Sequence, residues 1–231
     1  MQNGFFFAKS EGEQSKYGGM LGVYGGMEMC SVRSLGGASC CKEISARDRV
    51  SGRSVCLHVY PVDERERLMR EADVCAELDF LCDSRKLLAS LPELIDANIG
   101  ADESLPVCYL VYSEEDGGVT LNDYLMEKDF SPKVAYDALA CAVNTLTVAH
   151  GMGIEHGSFC GDCIELHGID LNGVKKTLLH GFGISASASV ADSIIAARRL
   201  LRKIDRAAWS SGKRRKGRAR ALLAIERLTF K

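Results

Sequence analysis

Ile154-Glu155-His156-Gly157-Ser158-Phe159-Cys160-Gly161-Asp162-Cys163-Ile164 is the stretch on which the reading of this chain turns. Cys160 and Cys163 have C-x-x-C spacing, and His150, His156 and His180 lie along the same part of the chain. A structural zinc site takes four ligands in recognisable pairs, and only one pair is visible, so a zinc or thiol site is one reading among several. Near neutral pH the Ser158 hydroxyl cannot accept a proton as a carboxylate does. The Cys163 sulfur is a soft ligand that suits magnesium poorly. Asp162 is the nearby carboxylate.

Working outward, Ser131 reads as a helix N-cap with Pro132 at the first helical position, and an apolar helix follows to residue 149. Residues 106–112 have the length and content of a buried strand, which stops at an acidic, glycine-containing turn over 113–118. Residues 62–82 read as an amphipathic helix with Leu68, Ala72, Cys75, Ala76 and Leu78 toward one side. Strand-like runs precede it at 54–60 and 38–44, and a β-prone segment lies near 28–33. Before these comes the glycine-dense Gly18-Gly19-Met20-Leu21-Gly22-Val23-Tyr24-Gly25-Gly26, which permits a tight turn whose backbone N–H groups face an anion. Residues 1–15 are polar, lack periodicity and read as a loose arm. Past Gly183, 48 residues remain, read as two helices with basic faces over 190–208 and 214–230. No internal repeat is visible.

The chain has 231 residues, 46% of them hydrophobic, enough to bury a real core. Its longest apolar runs fall well short of the roughly 20 residues of a membrane span, and Phe5-Phe6-Phe7 is too short for a signal-peptide core, so a soluble intracellular protein is expected. The 10 cysteines are scattered, several within apolar patterns, and read mostly as reduced packing residues. A net charge of −2 hides an asymmetry: from Arg198 onward there are 13 Lys or Arg and 2 acids, against 16 basic and 29 acidic residues before it. Lys213-Arg214-Arg215-Lys216-Gly217-Arg218-Ala219-Arg220 is dense enough for a nuclear-import signal or a phosphate-binding patch, and equally fits a solvated face offsetting the acidic part.

The opening stretch has the frame of a protein-kinase catalytic loop, and residues 110–166 resemble the haspin family of atypical serine/threonine kinases. Gly117, Gly118, Val119 and Leu121 resemble the segment after the haspin hinge, Glu155-His156 the start of its catalytic loop, Gly22-Val23-Tyr24-Gly25 its phosphate-loop core, and Glu71 through Glu77-Leu78 its C helix. The resemblance covers roughly residues 18–185. It implies an α+β, two-lobed kinase-like fold: an arm over 1–15, an N-lobe over 16–112, and a hinge with a shortened helical C-lobe over 113–231.

The resemblance also assigns roles. Gly22, Val23, Tyr24 and Gly25 would bind phosphate, and Lys42 would anchor the nucleotide and pair with Glu71. His58 competes with Lys42 for that role: it sits in a better strand pattern but lies further from the loop. Ser113, Glu114 and Glu115, in a hinge running from Tyr112 to Asp116, would offer backbone groups to adenine. The catalytic positions depart from the pattern. Ser158 stands where the general-base Asp belongs, Cys163 where the metal-binding Asn belongs, and Gly181 or His180 where the second metal-binding Asp belongs. Asp162 is the carboxylate that would have to compensate. Losing base and metal ligands together costs orders of magnitude in rate.

The resemblance thus implies an inactive pseudokinase that serves as a binding or scaffold module, with ATP binding conceivable and magnesium doubtful. The alternative is a slow, atypical but active serine/threonine kinase using Lys42, Glu71 and Asp162. Haspins phosphorylate a threonine near the start of a core histone tail in mitosis, so the implied setting is nuclear and chromosome-associated. The implied partner is a basic histone tail drawn to the acidic N-terminal two-thirds, with nucleic-acid phosphate met by the basic C-terminal helices.

Overall fold

The computed structural model describes residues 5–7, 22–34, 42–48, 52–82, 88–98, 107–114, 117–156, 159–170, 173–182 and 189–229. They form a mixed α and β fold of two compact units, one from Met1–Asp73 and Glu93–Asp116, the other from Val74–Pro92 and Gly117–Lys231.

The first unit is built on a six-stranded sheet. Its strands are β1 (Phe5–Phe7), β2 (Gly22–Ser34), β3 (Lys42–Asp48), β4 (Ser54–Pro61), β5 (Leu94–Asn98) and β6 (Val107–Ser113), in the order β1-β2-β3-β4-β6-β5. Every ladder is antiparallel except the short β1–β2 pair. Residues 55 and 57–60 of β4 and 108–112 of β6 are all buried, which explains their near-continuous apolar runs. Register pairs Cys56 with Tyr112, His58 with Leu110 and Tyr60 with Cys108, so these six residues share one face of the sheet. Lys42 pairs with Val59 and so belongs to the alternate set of positions.

A 3-10 turn, Val62–Glu64, leads from β4 into α1 (Arg65–Cys82). Leu68, Glu71, Cys75 and Leu78 are buried at helical spacing. The sequence pattern predicts Ala76 on this stripe; Ala76 is exposed, and the buried stripe includes Glu71 instead.

The second unit combines helices with a three-stranded antiparallel sheet of β7 (Val119–Thr120), β8 (Ile164–Ile169) and β9 (Val174–Leu179). Its helices are α2 (Leu121–Tyr124), α3 (Pro132–Gly151), α4 (Val190–Ser210) and α5 (Arg218–Thr229). α3 starts at Pro132 behind Ser131, as the sequence predicts. Ala135, Ala138, Leu139, Ala142, Val143, Leu146 and Ala149 are buried on it, and the alanines let α4, α5 and the sheet approach closely. Each large aliphatic side chain here contributes about 1.5–3 kcal/mol of burial.

Ser90 forms a parallel bridge with Leu178, its N–H donating to the Thr177 carbonyl (2.9 Å) and its carbonyl accepting from the Leu179 N–H (2.9 Å). The buried Thr145 hydroxyl clamps the neighbouring residue, accepting from the Ala89 N–H (2.9 Å) and donating to the Ala89 carbonyl (3.0 Å).

α4 opens with a capping box in which Ser189 and Asp192 satisfy each other's backbone N–H. It buries Ala197, Leu200, Leu201, Ile204 and Ala208. The basic run after it is tied into the fold. Asp205 accepts from the Tyr136 hydroxyl (2.7 Å) and from Arg218 Nε (2.9 Å). Lys213 Nζ donates to the carbonyls of Lys128 (2.9 Å) and Phe130 (2.7 Å), and Arg220 meets Asp137 (3.2 Å).

Candidate functional site

Within the first unit, polar groups converge on Glu71. Oε1 lies 2.5 Å from His58 Nδ1 and accepts from the Tyr112 hydroxyl at 2.6 Å, while Oε2 accepts from the Tyr60 hydroxyl. His58, Tyr60 and Tyr112 occupy the sheet face described above, and Glu71 enters from the buried stripe of α1. Burial alone would discharge both ionisable groups. For His58 the facing Glu71 charge, with hydrogen bonds to Cys56 and Glu71, outweighs burial and raises its pKa well above the ordinary 6.5. Burial likewise pushes Glu71 up, but His58 and the two tyrosine hydroxyls hold its carboxyl below the ordinary 4.5. The node is a buried His–Glu pair in which both shifts favour the charged forms.

The resemblance pairs Glu71 with Lys42, whose side chain lies outside what the structure describes. Glu71 is met by His58, and the register puts Lys42 opposite Val59, on the alternate set of positions from His58 and Tyr60. The strand alternation Cys56-His58-Tyr60, polar between apolar Val55, Leu57 and Val59, is the sequence signal that marks this face.

The other positions that the resemblance assigns to the nucleotide belong to the first unit. Gly22, Val23, Tyr24 and Gly25 run within strand β2 and form no turn; the glycines permit an extended backbone as readily as a bend. Lys42 begins β3, which extends to Asp48, rather than sitting near the end of a strand over 38–44. At the expected hinge the Ser113 N–H donates to the Glu93 carbonyl (2.8 Å) and the Glu114 N–H to the Ser54 carbonyl (3.1 Å). Those donors are used by the first unit itself. Glu115 lies outside the described residues.

In the second unit, the stretch that opens the sequence reading surrounds a buried histidine. The His156 ring contacts Phe159 edge-on at 5.5 Å between centroids and Phe182 at 4.7 Å. Burial pushes its pKa down to about 4, against an opposing contribution from the His180 backbone, so the ring is neutral at pH 7. Cys160 caps and Cys163 ends a 3-10 turn, Gly161–Cys163, with their sulfurs 3.3 Å apart. The hydrogen bond from Cys163 lowers the Cys160 pKa to about 6, while the same interaction and burial raise Cys163 well above its ordinary value. Ser158 lies outside the described residues.

Cys163 and His180 are neighbours, the Cys163 carbonyl accepting from the His180 N–H at 2.9 Å. The His180 ring turns to Glu165, with Nε2 2.7 Å from Oε2, and His167 Nε2 lies 3.4 Å from Oε1 of the same carboxylate. Burial raises the Glu165 pKa and the two histidines more than offset it, so the group is held below its ordinary 4.5. Gly118 leaves room for this cluster, since a Cβ there would lie 1.9 Å from Glu165 Oε1. Glu165 and His167 are the functional-type residues missing from the sequence-based candidates, and the alternation Ile164-Glu165-Leu166-His167 on β8 is the signal that carries them.

Gly181 has φ +88, in the left-handed region where an aspartate would be strained, and it supplies no ligand atom. Asp162, the expected substitute, accepts from Asn122 Nδ2 at 2.8 Å. Among the described residues, no group of three or more His, Cys, Asp and Glu side chains could hold a metal ion, and no helix is long and apolar enough to cross a membrane. Compared with known proteins, the chain matches no family model and no curated sequence.

Proposed function

We propose that the chain is a haspin-like pseudokinase: a kinase-type fold kept as a protein-binding module after its phosphoryl-transfer groups were replaced. The carrying observation is the buried contact between Glu71 of α1 and His58 of β4. In a protein kinase, a strand lysine meets a glutamate of the following helix. Here a strand residue and a glutamate of the following helix meet in a similar way, which supports the fold reading, while a histidine stands in place of the lysine. Its short side chain lacks the reach of a lysine's flexible stem toward a phosphate.

The other replaced positions favour the inactive form. Cys163 and Gly181 offer no side-chain oxygen for magnesium, and Asp162 is engaged with Asn122. With the Ser113 and Glu114 N–H groups committed to Glu93 and Ser54, ATP would have to depend on carbonyls and on Glu115. By the family resemblance, the partner is a basic histone tail and the setting is nuclear.

Thermal-shift titration with ATP, with and without magnesium or manganese and beside a Lys42→Met variant, is combined with radiolabel transfer to a histone-tail peptide. No transfer, together with saturable binding of the peptide, is the expected result. Transfer of label that depends on Lys42 overturns the pseudokinase reading, and absence of both peptide binding and ATP binding overturns the kinase-type reading altogether.

A further inference from the structure

We infer that the exposed face of α4, ending in Trp209, binds single-stranded nucleic acid. The apolar stripe of this helix is buried in the second unit, so its outward face is free to be specialised. Ile195, Arg199, Arg202, Arg206 and Trp209 recur at intervals of four, three, four and three, with Arg198 beside them, and all are exposed. At 1.5 Å per residue, the arginines and the tryptophan line a stripe about 15 Å long.

The fold uses other cations. Lys203 donates to Asn122, Lys213 to two carbonyls, Arg218 meets Asp205 and Arg220 meets Asp137. Among the described residues no carboxylate pairs with Arg198, Arg199, Arg202 or Arg206, and Asp205 on the same helix is taken up by Tyr136, Arg218 and, at 3.8 Å, Arg215. Among the described residues these four guanidinium groups thus sit side by side on a rigid element without counter-charges, and exposed Arg214 and Lys216 continue the positive surface beyond the helix.

Trp209 selects among polyanions. It is 76% exposed, an unusual position for the largest apolar side chain, and the Arg215 guanidinium lies 5.7 Å from its ring centroid. An indole beside a row of arginines is a stacking platform with an electrostatic track. Bases inside a duplex are already stacked and cannot use it, whereas unpaired bases can. A membrane surface fits less well, because insertion needs a broad apolar helix face and that of α4 is already buried. This inference stands independently of the kinase-type reading.

Trp209 is the single tryptophan of the chain, so its intrinsic fluorescence reports the proposed contact directly. The full chain is titrated with oligo(dT) and poly(U) at 50–200 mM salt, with labelled-oligonucleotide anisotropy for the variants. Saturable quenching is expected, with a slope of log K against log salt of about −3 for four phosphate contacts. Trp209→Ala should weaken oligonucleotide binding about 5- to 100-fold, and Trp209→Phe much less. Arg202→Gln with Arg206→Gln should flatten the salt slope by about 1.4. No quenching and no anisotropy change at the lowest salt overturns the proposal. So does equal binding of heparin, duplex DNA or anionic phosphatidylserine vesicles with no loss in Trp209→Ala, which would make the face a general polyanion surface.

Discussion

Nδ1 of His58 on β4 lies 2.5 Å from Oε1 of Glu71 on α1, and both residues are almost fully buried. Removing one member strands the other charge, so His58→Leu or Glu71→Leu should each cost about 3–5 kcal/mol, while the double variant should recover much of that loss. Denaturant unfolding of the four proteins in a double-mutant cycle measures the coupling.

The same pair sets a pH window. The Glu71 pKa is lowered on folding, so its contribution is present above about 4.5 and lost as pH falls through the folded value. The His58 pKa is raised, so its contribution is full below about 6.5 and lost as pH climbs through the folded value. The stability difference between wild type and the double Leu variant should therefore be greatest between about pH 4.5 and 6.5. A difference that keeps growing from pH 7 to 9 would contradict the charged pair.

Thr145→Val keeps the shape of the side chain but removes both of its hydrogen bonds to Ala89, leaving the Ala89 N–H only a long 3.4 Å bond to the Cys141 carbonyl. The expected loss is about 1–3 kcal/mol. Amide exchange at Ala89 and Ser90 should accelerate more than in the centre of α3.

Cys160, with its pKa lowered to about 6, should be alkylated by iodoacetamide at pH 7 well before buried Cys75 and Cys108. With glutathione disulfide, the Cys160 thiolate attacks a glutathione sulfur and releases one glutathione. Cys163, on losing its proton, then displaces the second. The sulfurs need to close from 3.3 Å to about 2.05 Å. Intact mass and peptide mapping should find a Cys160–Cys163 disulfide; a stable mixed disulfide on Cys160 would count against it.

Gly118→Ala places a carbon against Glu165 Oε1 and His167 Cε1, forcing Glu165 to give up its hold on His180 and His167. A loss of about 1–3 kcal/mol is expected. In a Glu165→Ala background the part of that penalty due to Glu165 should vanish while the contact with His167 Cε1 remains, a non-additivity that thermal melts can read.

The elements most legible in the sequence were those with an unambiguous period or boundary. Ser131-Pro132 marks the start of α3, and the apolar runs of β4 and β6 mark central strands. Glycine misled at Gly22–Gly25, because a residue that tolerates every backbone region does not distinguish a turn from strand β2. Glu71 was picked out by resemblance, but its burial was hidden, since a carboxylate on a helix reads as solvated until its partners are known. Those partners are spread from residue 58 to residue 112, and only the sheet register brings them together. His180 and Glu165, 15 residues apart, meet because β8 and β9 pair.

Asp205, together with the carbonyls that hold Lys213, gives the basic run 213–220 a second character. Arg218 clasps Asp205, Arg220 reaches Asp137, and the Lys213 ammonium also sits 4.5 Å from the Phe130 ring centroid. A receptor that reads this run as an extended peptide must first unfasten four of its cations, Lys213, Arg215, Arg218 and Arg220, and loosen the start of α5. The segment is as much a buckle as a label, and opening it would trade the packing of α3 against α5 for recognition.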